Sequence, residues 1–169
     1  MSNTHNNPRI IDRLLSTDDS AGALILRVSI GLVFLAHGAQ KLFGWFGGHG
    51  LAGTGQFFDS VGLQPGLILA LLAGATEFFG GLALVAGLLV RPASAALAFA
   101  MAVAAFAVHW DKGFFVTNGG YEYALTLAVA SLSLLASGGG RYSLDGWLRG
   151  RGRAAKTWTG GVPNLGASR

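Results

Sequence analysis

His37, Lys41 and Glu77 fall inside two long apolar runs of the chain, and His109 and Glu122 lie near the ends of two more. A charged group in hydrocarbon costs roughly 2.5–3.5 kcal/mol on insertion scales, so such residues persist where they face a partner or a cavity. Their chemistry is that of proton exchange and hydrogen bonding. An imidazole titrates near neutrality, a buried carboxyl is pushed toward it, and an ammonium only donates. His37 and Glu77 are therefore the candidates for catalysis. His37, Lys41, Glu77, His109 and Glu122 are together the candidates for ligand binding. The same cluster has a purely architectural reading, in which mutual satisfaction fixes helix register. Metal or haem ligation by His37 and His109 is the weakest alternative, because no spacing motif supports it and no metal site is expected.

The elements that must position these residues are membrane helices. Of 169 residues 51% are hydrophobic and only 12% charged, with a mean hydropathy of +0.50; soluble domains carry about 25% charge. Apolar segments run over Ala23–Phe43, Leu67–Val90, Pro92–Trp110 and Tyr121–Ser137, each close to the roughly 17–25 residues that cross a bilayer. The expected fold is all-α, an antiparallel four-helix transmembrane bundle. Each helix offers a face of small or polar residues that lets neighbouring backbones approach. On the first the face is Arg27, Gly31, Phe34, Gly38 and Lys41, and on the second Ala73, Glu77, Gly80, Leu84 and Gly87. The third offers Ala98, Ala102, Ala105 and His109, and the fourth Glu122, Thr126, Ser133 and Ser137. At about 1.5 Å per residue, His37 and Glu77 sit level, roughly 20 Å from the inner ends of their helices. They floor an outer site that Lys41, His109 and Glu122 surround. Arg27, near the inner edge, is expected to snorkel.

Arg91-Pro92 reads as a tight turn, with Pro92 at a first helical position, and Gly138-Gly139-Gly140 ends the fourth helix. Ten of the 12 basic residues fall on one side of the predicted spans, leaving Lys41 and Lys112 on the other. That asymmetry places both termini in the cytoplasm of a multi-pass plasma-membrane protein. Residues 1–22 form a cytoplasmic segment with a short interfacial helix at Arg9–Leu15, residues 23–148 the transmembrane domain, and residues 149–169 a disordered cytoplasmic tail. The N-terminus lacks the apolar stretch of a signal peptide.

Several function classes drop out. The net charge of +4 reflects loop asymmetry, and without a basic motif nucleic acid is not a partner. The chain contains no cysteine, which excludes thiolate nucleophiles, disulfides and iron–sulfur ligation. Gly48-His49-Gly50-Leu51-Ala52-Gly53 matches a dinucleotide fingerprint literally, but no strand precedes it, so its glycines serve a tight re-entry. A short interfacial helix around Gln56–Val61 follows in the first outer loop. His49 and Asp59 read as solvated loop residues.

The residues also resemble a known family. The pattern Arg27-x-x-x-Gly31-x-x-Phe34-x-x-x-Gly38-x-x-Lys41-Leu42-Phe43-Gly44 is similar to the opening motif of the DoxX family of small four-helix membrane proteins. Glu77-Phe78-Phe79-Gly80-Gly81 with Gly87 and Arg91 extends the likeness, as do Asn118-Gly119-Gly120-Tyr121-Glu122 and Gly138-x-Gly140-Arg141-Tyr142-Ser143-Leu144-Asp145, so that it covers about residues 23–148. The resemblance implies association with quinone-linked redox systems. Residues and resemblance together give an expected integral membrane component of a redox system. It would bind a quinone, or another small amphipathic ligand, in the outer half of the bundle, with soluble or membrane redox proteins as partners and the lipid bilayer around it. A small-solute transporter or a membrane scaffold or assembly factor is the alternative; ligand identity and oligomeric state stay open.

Overall fold

In a computed structural model the described residues are 19–149, and all of their regular structure is helical. The interfacial helix expected at residues 9–15, and the tail beyond Arg149, lie outside the described residues. Helix α1 spans Asp19–Phe43, α2 Gly50–Ser60, α3 Gly66–Ala86, α4 Val90–Val103 and α5 Glu122–Ser137. Stretches Ala21–Phe43, Gly66–Ala86 and Val90–Lys112 are long and apolar enough to cross a membrane, whereas α5 is apolar but shorter. Large side chains such as Ile25, Leu32, Leu71, Phe79, Leu82, Phe99 and Val129 face outward, exposed. A water-soluble domain would bury them; a membrane protein solvates them in lipid. This is a multi-pass membrane protein.

Helix α1 packs most extensively on α3, and α5 packs on α4 and touches α1 less. The α1–α3 seam depends on glycine. A methyl at Gly38 would stand 2.3 Å from the Phe78 amide nitrogen, inside contact distance of another backbone. Small residues let membrane helices approach this closely, where dispersion and interhelical bonds replace the hydrophobic drive. Phe34, Leu84, Val90, Leu97 and Leu134 fill the core; the end that holds Arg27 is termed the inner end and the opposite one the outer, as labels only.

That inner end is closed by polar bonds that correct two expectations. Arg27 does not snorkel: it is 1% exposed. Its Nη1 donates to the carbonyls of Leu84 (2.7 Å) and Val85 (3.1 Å), and its Nη2 to that of Tyr142 (2.9 Å). The first two carbonyls belong to the last turn of α3, where acceptors lack the i+4 amide; that of Leu84 also accepts the Gly87 amide at 3.1 Å. Gly87 ends that helix at φ +73°, and a Cβ there would strike Nη1 at 2.1 Å. Glycine is therefore required both for the left-handed cap and for the room. The turn into α4 lies at residues 87–89 rather than at Arg91-Pro92. Asp145 holds it, its carboxylate accepting the amides of Leu89 and Val90 at 2.9 Å each. Pro92 falls within the first turn of α4, where a missing N–H costs nothing.

Three other expectations also shift. The short outer helix begins at Gly50, so the literal dinucleotide fingerprint is largely helix. Asp59 caps α3, its Oδ1 accepting the Gly66 amide at 2.8 Å, and is not merely solvated. The polar stripe of the fourth segment points outward: Thr126, Ser133 and Ser137 are exposed. Thr126 and Ser137 donate to their own i−4 carbonyls at 2.7 and 2.9 Å, which satisfies the hydroxyls within the helix. The buried face of α5 carries Ala124, Leu127, Ala128, Ser131 and Leu134 instead.

Candidate functional site

The Gly38–Phe78 contact has a chemical result one helical turn further out. With the two backbones that close, Lys41 on α1 meets Glu77 on α3, Nζ to Oε2 at 2.5 Å. Their side chains are 25% and 4% exposed. The carboxylate is thus the desolvated partner, and without the ammonium it would be a buried, unpaired charge.

The pair stands on the wall of a cavity of about 710 Å³, within the 300–1,000 Å³ usual for small-molecule sites. His37, Lys41, Glu77 and His109 all line it. Most other lining residues are apolar, among them Phe34, Ala73, Ala104 and Leu127. A few converging polar groups in an apolar chamber are the usual make-up of a site for an amphipathic molecule.

His37 and Glu77 do not bond to each other. His37 Nε2 lies 3.3 Å from the Tyr123 hydroxyl, with ring centroids 5.8 Å apart. Tyr123 also lines the cavity; the polar spacing of the fourth segment does not reveal it, because Glu122 and Thr126 define a neighbouring face of α5. His109 Nδ1 is 2.6 Å from the carbonyl oxygen of Gly119. A carbonyl only accepts, so Nδ1 carries the proton, and in the neutral ring Nε2 is left as an acceptor.

Glu122 does not reach the cavity. Its Oε1 accepts the Val116 amide at 2.8 Å and so braces the outer loop. That loop is also tied by Tyr121 and Glu122 amides to the carbonyls of Gly113 and Phe114, and Tyr121 stacks on Trp110 with centroids 5.0 Å apart. The loop contributes Val116, Gly119 and Gly120 to the cavity wall, and α2 contributes Phe57 and Phe58.

The third apolar segment is not one regular helix. After α4 the chain makes a π-helical stretch over Ala104–His109. Such insertions widen a turn and concentrate at functional sites. Here the stretch contributes Ala104, Val108 and His109 to the cavity wall. Among the described residues no group of three or more His, Asp or Glu is placed to hold a metal ion.

The family model described as DoxX matches residues 22–110, more than half of the chain. The chain belongs to the DoxX family. No curated protein and no solved structure matches it. In this DoxX protein the matched stretch contains Arg27, Gly38, Lys41, Glu77, Gly87 and His109. It thus covers both the α1–α3 seam and the first half of the inner clamp. Tyr123, Tyr142 and Asp145, which complete the cavity and the clamp, lie beyond it.

Proposed function

We propose that this DoxX protein is an integral component of a membrane redox system that binds a quinone-like or other small amphipathic molecule in its cavity. In this reading α5 completes an antiparallel four-helix bundle, with the interhelical seams described above as its core. The observation that carries the proposal is the Lys41–Glu77 pair on the wall of an otherwise largely apolar chamber of ligand size. Lys41 and Tyr123 offer donors to a carbonyl-bearing head, His37 a donor or acceptor, and His109 Nε2 an acceptor. Reduction of such a head consumes protons as well as electrons. Glu77, with Lys41 beside it, is the group placed to pass protons, and a partner redox protein supplies the electrons.

The test uses protein purified in mild detergent. Its organic extract should contain a stoichiometric quinone or related amphiphile, and the stripped protein should rebind a short-chain benzoquinone saturably. An empty extract together with no saturable binding would overturn the proposal, in favour of a transporter or scaffold.

The basic-residue asymmetry further supports a plasma-membrane location with both termini in the cytoplasm. A cysteine introduced at His49, which is exposed, should then react with an impermeant maleimide on intact cells. Reaction only after the cytoplasm is opened would reverse the topology.

A further inference from the structure

One opening of the cavity lies where α3 faces α4, marked by exposed lining residues on both helices. Close to their connecting turn the two helices touch, and a methyl at Gly80 would stand 3.0 Å from the Leu97 side chain. Leu72, two helical turns beyond Gly80 on α3, and Ala96 and Phe99, on either side of Leu97 on α4, line the cavity. Leu72 is nevertheless 58% and Phe99 72% exposed. Side chains that both wall a chamber and lie open at the surface mark its openings; Phe57, Val116 and Tyr123 do so elsewhere, whereas Leu72 and Phe99 belong to membrane-spanning stretches. The lips of the α3–α4 opening are hydrocarbon, while the polar groups stay on the inner wall at Lys41, Glu77 and His37.

Resting on the ligand-binding reading above, we propose that the cleft between α3 and α4 is a lateral portal. Through it a bilayer-dissolved amphiphile, with a hydrogen-bond-accepting head and an apolar chain, reaches the cavity. The head lies at Lys41 and His37, and the chain trails out between Leu72 and Phe99 into the lipid. A hydrated solute would have to shed its water before a gap in which, apart from Glu77 on the inner wall, the Thr76 hydroxyl is the one polar side chain that α3 adds between Leu72 and Gly80. An amphiphile already in the membrane sheds none, and its chain stays in the medium it came from. The Lys41 ammonium supplies the complement to the accepting head, which the bilayer interior otherwise lacks.

Photolabelling of the full chain in lipid nanodiscs tests the portal, with a decyl benzoquinone carrying a diazirine at the chain end as probe. Competable label is expected on peptides containing Leu72 and Phe99. Ala96→Phe and Leu72→Trp crowd the two lips from exposed positions, so either variant should fold. Each should weaken probe binding about tenfold, whereas Val129→Ala, at an exposed position of α5 outside the cavity lining, should stay within about twofold of wild type. Competable label on the peptides of Phe57 or Val116 would overturn the portal while leaving the ligand reading intact. Full-strength binding in both lip variants would do the same. An absence of competable label anywhere would overturn both.

Discussion

Replacing Glu77 by leucine should lower stability by about 3–5 kcal/mol, because it leaves the Lys41 ammonium against an apolar wall with no counter-charge. Glu77→Gln keeps the shape and one acceptor, and should cost less, about 1–3 kcal/mol. The informative variant is the double replacement Lys41→Met with Glu77→Leu. Removing a buried ion pair as a unit in favour of well-packed apolar side chains is often neutral or stabilising. The double variant should therefore recover most of the melting temperature lost by Glu77→Leu, measured on detergent-solubilised protein. Binding of the benzoquinone probe should not recover with it, since head recognition and proton passage both depend on the pair. Glu77→Gln should likewise insert and fold, yet lose partner-linked quinone turnover. If the double variant regains stability and also binds and turns over the probe like wild type, the pair fixes helix register and nothing more.

The second large effect belongs to the inner end. Arg27→Leu removes the donor from three carbonyls at once, those of Leu84, Val85 and Tyr142. Each charge-assisted bond is worth about 1.5–3 kcal/mol, and bonds within one network do not add, so about 3–5 kcal/mol is expected in all. Arg27→Lys should rescue little, because a compact ammonium cannot reproduce the spread of a guanidinium fork. Hydrogen exchange reads the same event locally: the amides of Leu89 and Val90, held by Asp145 in the adjoining cap, should lose protection. Unchanged melting and exchange in Arg27→Leu would show that the clamp contributes nothing to the fold.

The parts of this molecule legible in the sequence were those that depend on length and spacing. Apolar length located α1, α3 and the third spanning stretch, and Gly31 and Gly38 marked the face of α1 that meets α3; on α3 itself the seam uses Gly74 and Gly81, while Gly80 of the expected stripe faces Leu97 of α4. Depth along a helix put His37, Lys41 and Glu77 near one another. It could not choose their partners, since one turn of difference gives Glu77 to Lys41 rather than to His37. Arg27 misled because distance from a helix end measures only how far a side chain must reach for water, while its acceptors come from residues 84 to 142 in the chain. On α5 the polar stripe misled for a different reason. Hydroxyls that bond their own helix need no neighbour, so they can lie against lipid; the small residues Ala124 and Ala128 were the better guide to the inward face and hence to Tyr123. The π-helical stretch at Ala104–His109 left no mark in composition at all.

The bond from Arg27 to Tyr142 also bears on how the protein is made. A ribosome delivers residue 27 long before residue 142, so the first helix enters the membrane with one of its guanidinium acceptors not yet synthesised. Gly87 and the turn after it wait in the same way for Asp145. Maturation of the earliest helix is thus completed by almost the last described segment to emerge, and a nascent chain released before that point carries an incompletely satisfied arginine and an unlatched hairpin. The inner clamp ties segments made early to one made much later, and neither can reach its final bonding before Tyr142 and Asp145 are present.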